Sequence, residues 1–98
     1  MASNFVLRRK AEEDLIAIID YVSQDNPKAA LELYENFLTQ FMYLAQFPKS
    51  GRLRTEFHPV IRSLAIGKYI VFFCESSPVE IVRVLHGARL FPEDIESL

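Results

Sequence analysis

Cysteine occurs once in this chain, as Cys74, so neither an internal disulfide nor a cysteine-based zinc site can form. There are two histidines, His58 and His86, and neither has a carboxylate at ligand spacing, so no metal site and no cofactor are expected. The longest apolar strand-like run, Tyr69 to Cys74, is far too short to span a bilayer. Met1-Ala2-Ser3-Asn4 has no charged stretch followed by an apolar one, so no signal peptide is expected and a cytoplasmic location follows. Internal repeats and low-complexity segments are also missing. Net charge is −2, which gives no global case for nucleic-acid binding.

What the chain does have is apolar bulk. Half of its 98 residues are hydrophobic and eight are Phe, which makes it globular rather than disordered. The length fits one domain over residues 1–98. A body this small buries only about 60–65% of its unfolded surface, so its stability margin is thin. Some of the apolar supply is expected to wait for a partner. Charge is unevenly spread. From Lys49 to Phe72 there are five basic residues and one acid, Glu56; from Phe73 onward there are two basic residues and five acids. The basic middle is either a solvated loop or a surface that meets nucleic acid or an acidic protein.

Asn4 to Arg8 reads as a short opening strand. Ala11, Leu15, Ile18, Ile19 and Val22 then fall on one helical face, with Glu12, Glu13 and Asp14 in the first turn, where the helix dipole favours negative charge. That helix is predicted to end near Ser23. Asp25 or Asn26 can cap a second helix, and Pro27 suits its first position because a missing N–H costs nothing there. The second helix runs to Phe47 and stops before Pro48. Its polar residues form one narrow stripe, so an apolar surface wider than the first helix can cover is left for a partner. Pro48 to Arg52 reads as a loop. Three strands follow, Val60–Ile66, Tyr69–Glu75 and Val79–His86, with Gly67-Lys68 suited to a type II′ turn. Tyr69 to Phe73 is apolar on both faces and should be central. Pro92 to Leu98 has room for one or two helical turns. The expectation is α+β, in the order β-α-α-β-β-β: an antiparallel sheet with an N-terminal helical hairpin packed on one face and the other face partly open.

In this order the local phrases resemble ParE-type toxins of the ParE/RelE group. Ala11-Glu12-Glu13-Asp14-Leu15 with Ile18 and Tyr21 is similar to the family's first helix, and Asn26-Pro27-Lys28-Ala29-Ala30 to its helix link. Phe47-Pro48-Lys49-Ser50-Gly51-Arg52, Ile61-Arg62-Ser63-Leu64, Gly67-Lys68-Tyr69 and Arg83-Val84-Leu85-His86-Gly87-Ala88-Arg89 continue the pattern. The resemblance implies the toxin of a type II toxin–antitoxin pair. It implies poisoning of DNA gyrase and neutralisation by a ParD-like antitoxin with a ribbon-helix-helix DNA-binding part. The other readings are a RelE-like ribosome-dependent mRNA endonuclease and a non-toxic module that only binds antitoxin.

RelE-type cleavage needs a base for the ribose 2′-OH, cations for the phosphorane and an acid for the leaving oxygen. Arg62 and Arg89 match two arginines of the RelE pattern, and His86 is the candidate base. That pattern also ends in a Tyr or His, and neither follows Arg89, which argues against a ribonuclease. Each candidate has a structural reading as well. His86 can bond a backbone carbonyl, and Arg62 can pair with a carboxylate, for which Glu80 is one choice. Arg83 reads as a strand surface or rim residue, His58 as exposed, and Cys74 as a small buried hydrophobe. Arg52, Arg54 and Arg89 are the choice for a target-facing patch. Leu31, Tyr34, Leu38 and Met42 are the choice for the antitoxin, which would bind by helix-in-groove packing or strand addition.

Overall fold

The computed structural model describes residues 4–57 and 60–89, Arg89 by its backbone. β1 (Phe5–Leu7) passes through Arg8 into α1 (Arg9–Asp25), and Asn26 alone separates α1 from α2 (Pro27–Gln46). Asn26 is extended, and its side-chain oxygen accepts the Ala29 N–H at 3.1 Å while Pro27 opens the helix. The cap and the proline therefore restart the helix as expected. α1 outlasts the predicted end at Ser23 because the chain stays helical until the Asn26 N–H donates to Val22 O. A 3₁₀ turn at Pro48–Ser50 leads to β2 (Arg52–Arg54), β3 (Ile61–Ile66), β4 (Tyr69–Cys74) and β5 (Val79–His86), and a second 3₁₀ turn follows at Gly87–Arg89. The predicted C-terminal helical turns and the exposed His58 lie outside the described residues.

The fold is α+β, with the hairpin on one sheet face, but two features of the expected sheet are corrected. It has five strands in the order β1-β5-β4-β3-β2, and β1 pairs with β5 in parallel, so the sheet is mixed. The parallel pair forms because the chain leaves β1 straight into the helices and returns through the meander. A three-residue strand carries no periodicity that names its partner. The other correction is β2, within a stretch that read as loop. Arg-Leu-Arg is short and charged, as suits an edge strand that must not recruit other chains.

β4 is central, with Val71, Phe72 and Phe73 buried in succession, so both of its faces are covered. Gly67 has φ +59° and no other described residue has positive φ, which fits the type II′ turn between β3 and β4. Beneath the helices, Ala11, Leu15, Phe37, Phe41 and Leu44 meet Ile66, Val71, Phe73, Ile81 and Val84. Phe37 stacks on Phe41 at 6.0 Å and meets Tyr69 edge-on at 5.6 Å, while Phe5 meets Phe41 at 5.4 Å. Each such ring or branched side chain contributes roughly 1.5–3 kcal/mol when fully buried. A bulge resets the β4–β5 register. Phe72 faces Arg83 and Phe73 faces Ile81, so Val82 is the extra residue. Phe72 is buried on the face away from the helices, against Phe57 at 6.1 Å and under the Arg54 guanidinium.

Candidate functional site

Arg62 lies on β3 opposite Phe73. Its Nε donates to Glu75 Oε1 at 2.7 Å and its Nη1 to Gly51 O at 2.9 Å. The carboxylate partner is therefore Glu75 and not Glu80. Glu75 is two residues beyond Phe73, a diagonal neighbour on the same face. Glu80 is on β5, with β4 in between, and binds Arg8 Nε at 2.7 Å. Lys49 Nζ also approaches Glu75, at 3.7 Å. The hydrogen bond from Arg62, helped by the charges of Arg62 and Lys49 against some desolvation, holds the Glu75 carboxyl below the usual carboxylate range.

His86 ends β5 at the other end of the sheet. It pairs with Tyr69, which pairs with Ile66, four residues along β3 from Arg62. At about 3.3 Å per residue and about 4.8 Å per strand, Arg62 and His86 are on the order of 16 Å apart along the backbone. The two are not brought together. His86 Nδ1 accepts the Ala88 N–H at 3.1 Å, and its ring stands edge-on to Tyr69 at 5.4 Å. The backbone bond predicted for it exists, but the histidine accepts from an N–H rather than donating to a carbonyl. Arg89 follows in the 3₁₀ turn, and its side chain lies outside the described residues.

Of the basic residues on edge strand β2, Arg52 is exposed. Arg54 is committed inward: Nε binds Glu56 Oε2 at 2.8 Å, Nη1 donates to Ser63 Oγ at 3.2 Å, and the guanidinium sits 5.3 Å from the Phe57 ring centre and 5.7 Å from that of Phe72. The hydrogen bond from Arg54 lowers the Glu56 carboxyl.

The helical hairpin leaves apolar side chains in solvent. On α2, Leu31 is 58% exposed and Met42 53%, Tyr34 is exposed between them, and Leu38 packs partly against the core. On α1, Ile16 is 64% exposed. Leu7, Leu15, Ile16, Ile19 and Tyr34 wall an open groove of about 430 Å³ along the hairpin.

The family of the ParE toxin of the type II toxin–antitoxin system parDE matches residues 5–91. The chain belongs to this family. A relative from Caulobacter vibrioides, Toxin RelE2, is 36% identical over 83 residues, which covers 83% of this chain and 91% of that protein. A solved structure of the chromosomal ParDE toxin–antitoxin system from P. aeruginosa is 25% identical with a TM-score of 0.71, over 87% of this chain and 96% of that one. This ParE-family chain is thus the toxin of a type II toxin–antitoxin system.

Several residues that shape the ParE-family chain were missed or misplaced by the sequence reading. Asp14 is not a first-turn residue, because α1 starts at Arg9; Glu12 is the acid there. Arg83 is not a rim residue: its side chain is 14% exposed, and it donates to Asp14 through Nε at 2.8 Å and Nη2 at 3.0 Å. Asp14 also accepts the Val84 N–H at 3.0 Å. Cys74 is only partly buried and accepts from Arg8 Nη2 at 3.5 Å, so it is not a plain buried hydrophobe. One signal was available: Arg83 is flanked on both sides by apolar pairs, Ile81-Val82 and Val84-Leu85.

Proposed function

We propose that this toxin acts by poisoning DNA gyrase rather than by cutting RNA, and that a ParD-like antitoxin with a ribbon-helix-helix DNA-binding part neutralises it by covering α2. The observation that carries the target reading is the separation of Arg62 from His86. With their backbones on the order of 16 Å apart, and the Arg62 guanidinium turned to Glu75 and Gly51, base and clamp are poorly placed to act on one phosphodiester. Residues 90–98 include neither a Tyr nor a His that could serve as the acid. Arg52, Arg54 and Arg89 remain the residues for the target-facing surface, with Arg52 exposed and Arg54 shaping it from beneath. The antitoxin reading is supported by Leu31, Tyr34 and Met42, which are exposed on one helix although apolar, with Leu38 at their base.

Controlled expression tests the target. A DNA-damage response and filamentation are expected, with translation continuing at first. Rapid translation arrest with cleaved messages would overturn the gyrase reading in favour of mRNA cleavage, an outcome the name of the Caulobacter relative makes worth scoring. Absence of any growth effect would identify an antitoxin-binding module without toxicity.

A further inference from the structure

We infer that the groove along the helical hairpin selects its occupant by charge as well as by apolar fit: the antitoxin segment seated there carries an apolar stripe flanked by Lys or Arg side chains that meet Glu12 and Asp20. This rests on the reading above that an antitoxin covers the hairpin.

The apolar wall accepts apolar side chains, but the charged residues lining the groove, Glu12 and Asp20, are both acids. Both are exposed, and neither pairs with a cation among the described residues. Their spacing of eight residues puts them about 12 Å apart along the α1 axis. A helix lying in the groove would reach both with cations seven or eight residues apart. The surroundings strengthen the field. From Arg9 to Gln46 there are seven acids and three basic residues, and between Lys10 and Lys49 only Lys28 is basic. Glu32 and Glu35, both exposed, neighbour Leu31 and Tyr34 on α2. An acidic segment or a nucleic acid would meet repulsion along the whole hairpin, while a basic amphipathic segment would be steered in. A second copy of this chain fits less well. Its basic stretch carries Lys49 paired to Glu75 and Arg54 paired to Glu56, which leaves few cations to offer.

The test uses the full chain and its own antitoxin, with affinity measured at low and moderate salt. Glu12→Lys with Asp20→Lys is expected to weaken binding about tenfold or more at low salt and less at higher salt. Glu12→Gln with Asp20→Asn, which removes the charges but keeps the side-chain shapes, should fall in between. Ile16→Glu with Tyr34→Glu, both exposed on the groove wall, should break the complex at either salt. Unchanged affinity in the charge variants, with loss in the apolar ones, overturns the charge inference alone. Unchanged affinity in all of them overturns the antitoxin seat itself. Two synthetic helical peptides with one Leu/Ile stripe, flanked by Lys in one and Glu in the other, give a second readout. The Lys peptide should bind, and equal or tighter binding of the Glu peptide overturns the inference. Self-association of the free chain that the charge reversal abolishes would also overturn it, by making a second copy the occupant.

Discussion

Asp14 stands where β5 loses its neighbour. β1 ends at Leu7, opposite Ile81, and the Arg8 N–H makes the last bond to Ile81 O. Three residues on, the Val84 N–H has no strand beside it, and the Asp14 carboxylate takes it together with Arg83. With both side chains of the pair mostly buried, Asp14→Ala would remove the carboxylate to which the Arg83 guanidinium and the Val84 N–H both donate. A loss of about 3 kcal/mol is expected. For a domain of this size that lowers the melting temperature by roughly 12–24 °C. Asp14→Asn, which keeps one acceptor, should lose less. Thermal melts followed by circular dichroism check this, and equal melting temperatures would sink it. At this scale the sequence was legible where chemistry is local: Asn26 with Pro27 as a helix restart, and Gly67 as the residue of positive φ. It was illegible where a partner is chosen across strands. Arg62 could be seen to need a carboxylate, but the choice between Glu75 and Glu80 depends on strand order.

The helices and β3 to β5 are strongly patterned, and their bounds follow from hydrophobic period and turn residues. β1 and β2 have three residues each, and their positions are set by what they dock on. Gly51 shows how tightly β2 is seated. A Cβ there would lie 2.6 Å and 2.7 Å from atoms of the Phe73 ring and 2.8 Å from Ser63 O. Phe73 is fully buried and Ser63 O is backbone, so neither can yield cheaply. Gly51 also lends its carbonyl to Arg62. Gly51→Ala is expected to cost about 1–3 kcal/mol by overpacking, read as a lower urea midpoint at unchanged slope. An unchanged midpoint would mean that β2 can lift away freely. The candidate site was only half legible for a related reason: the residue types were visible in the chain, but the distance between Arg62 and His86 depends on register.

Taken whole, the molecule is a small core with apolar side chains left in solvent along one hairpin. The ordered phrases that resemble ParE toxins were enough to place it in its family, because they span nearly the whole chain. They do not say what meets the exposed face. If an antitoxin does, folding and binding are linked: free antitoxin at 100 times its dissociation constant adds about 2.7 kcal/mol to stability. The melting temperature of the toxin should therefore climb with antitoxin concentration. A flat response across that range would show that the partner binds folded and unfolded chain alike.

The parallel pairing of β1 with β5 also has a consequence in time. Phe5 lies against Val79, so the first strand synthesised must wait for the last before it has a neighbour. At about 5–20 residues per second the interval is roughly 4–15 s on the ribosome. The hairpin is joined by a single residue and its contacts are local, so it can form during that wait. The complete sheet cannot: β2, β3 and β4 can pair with one another, but β1 has no neighbour until β5 joins it to β4. Completion of the toxin is thus gated by the emergence of residues 79–86, and a ribosome stalled before them holds a helical hairpin and a three-strand meander without the strand that joins β1 to the rest.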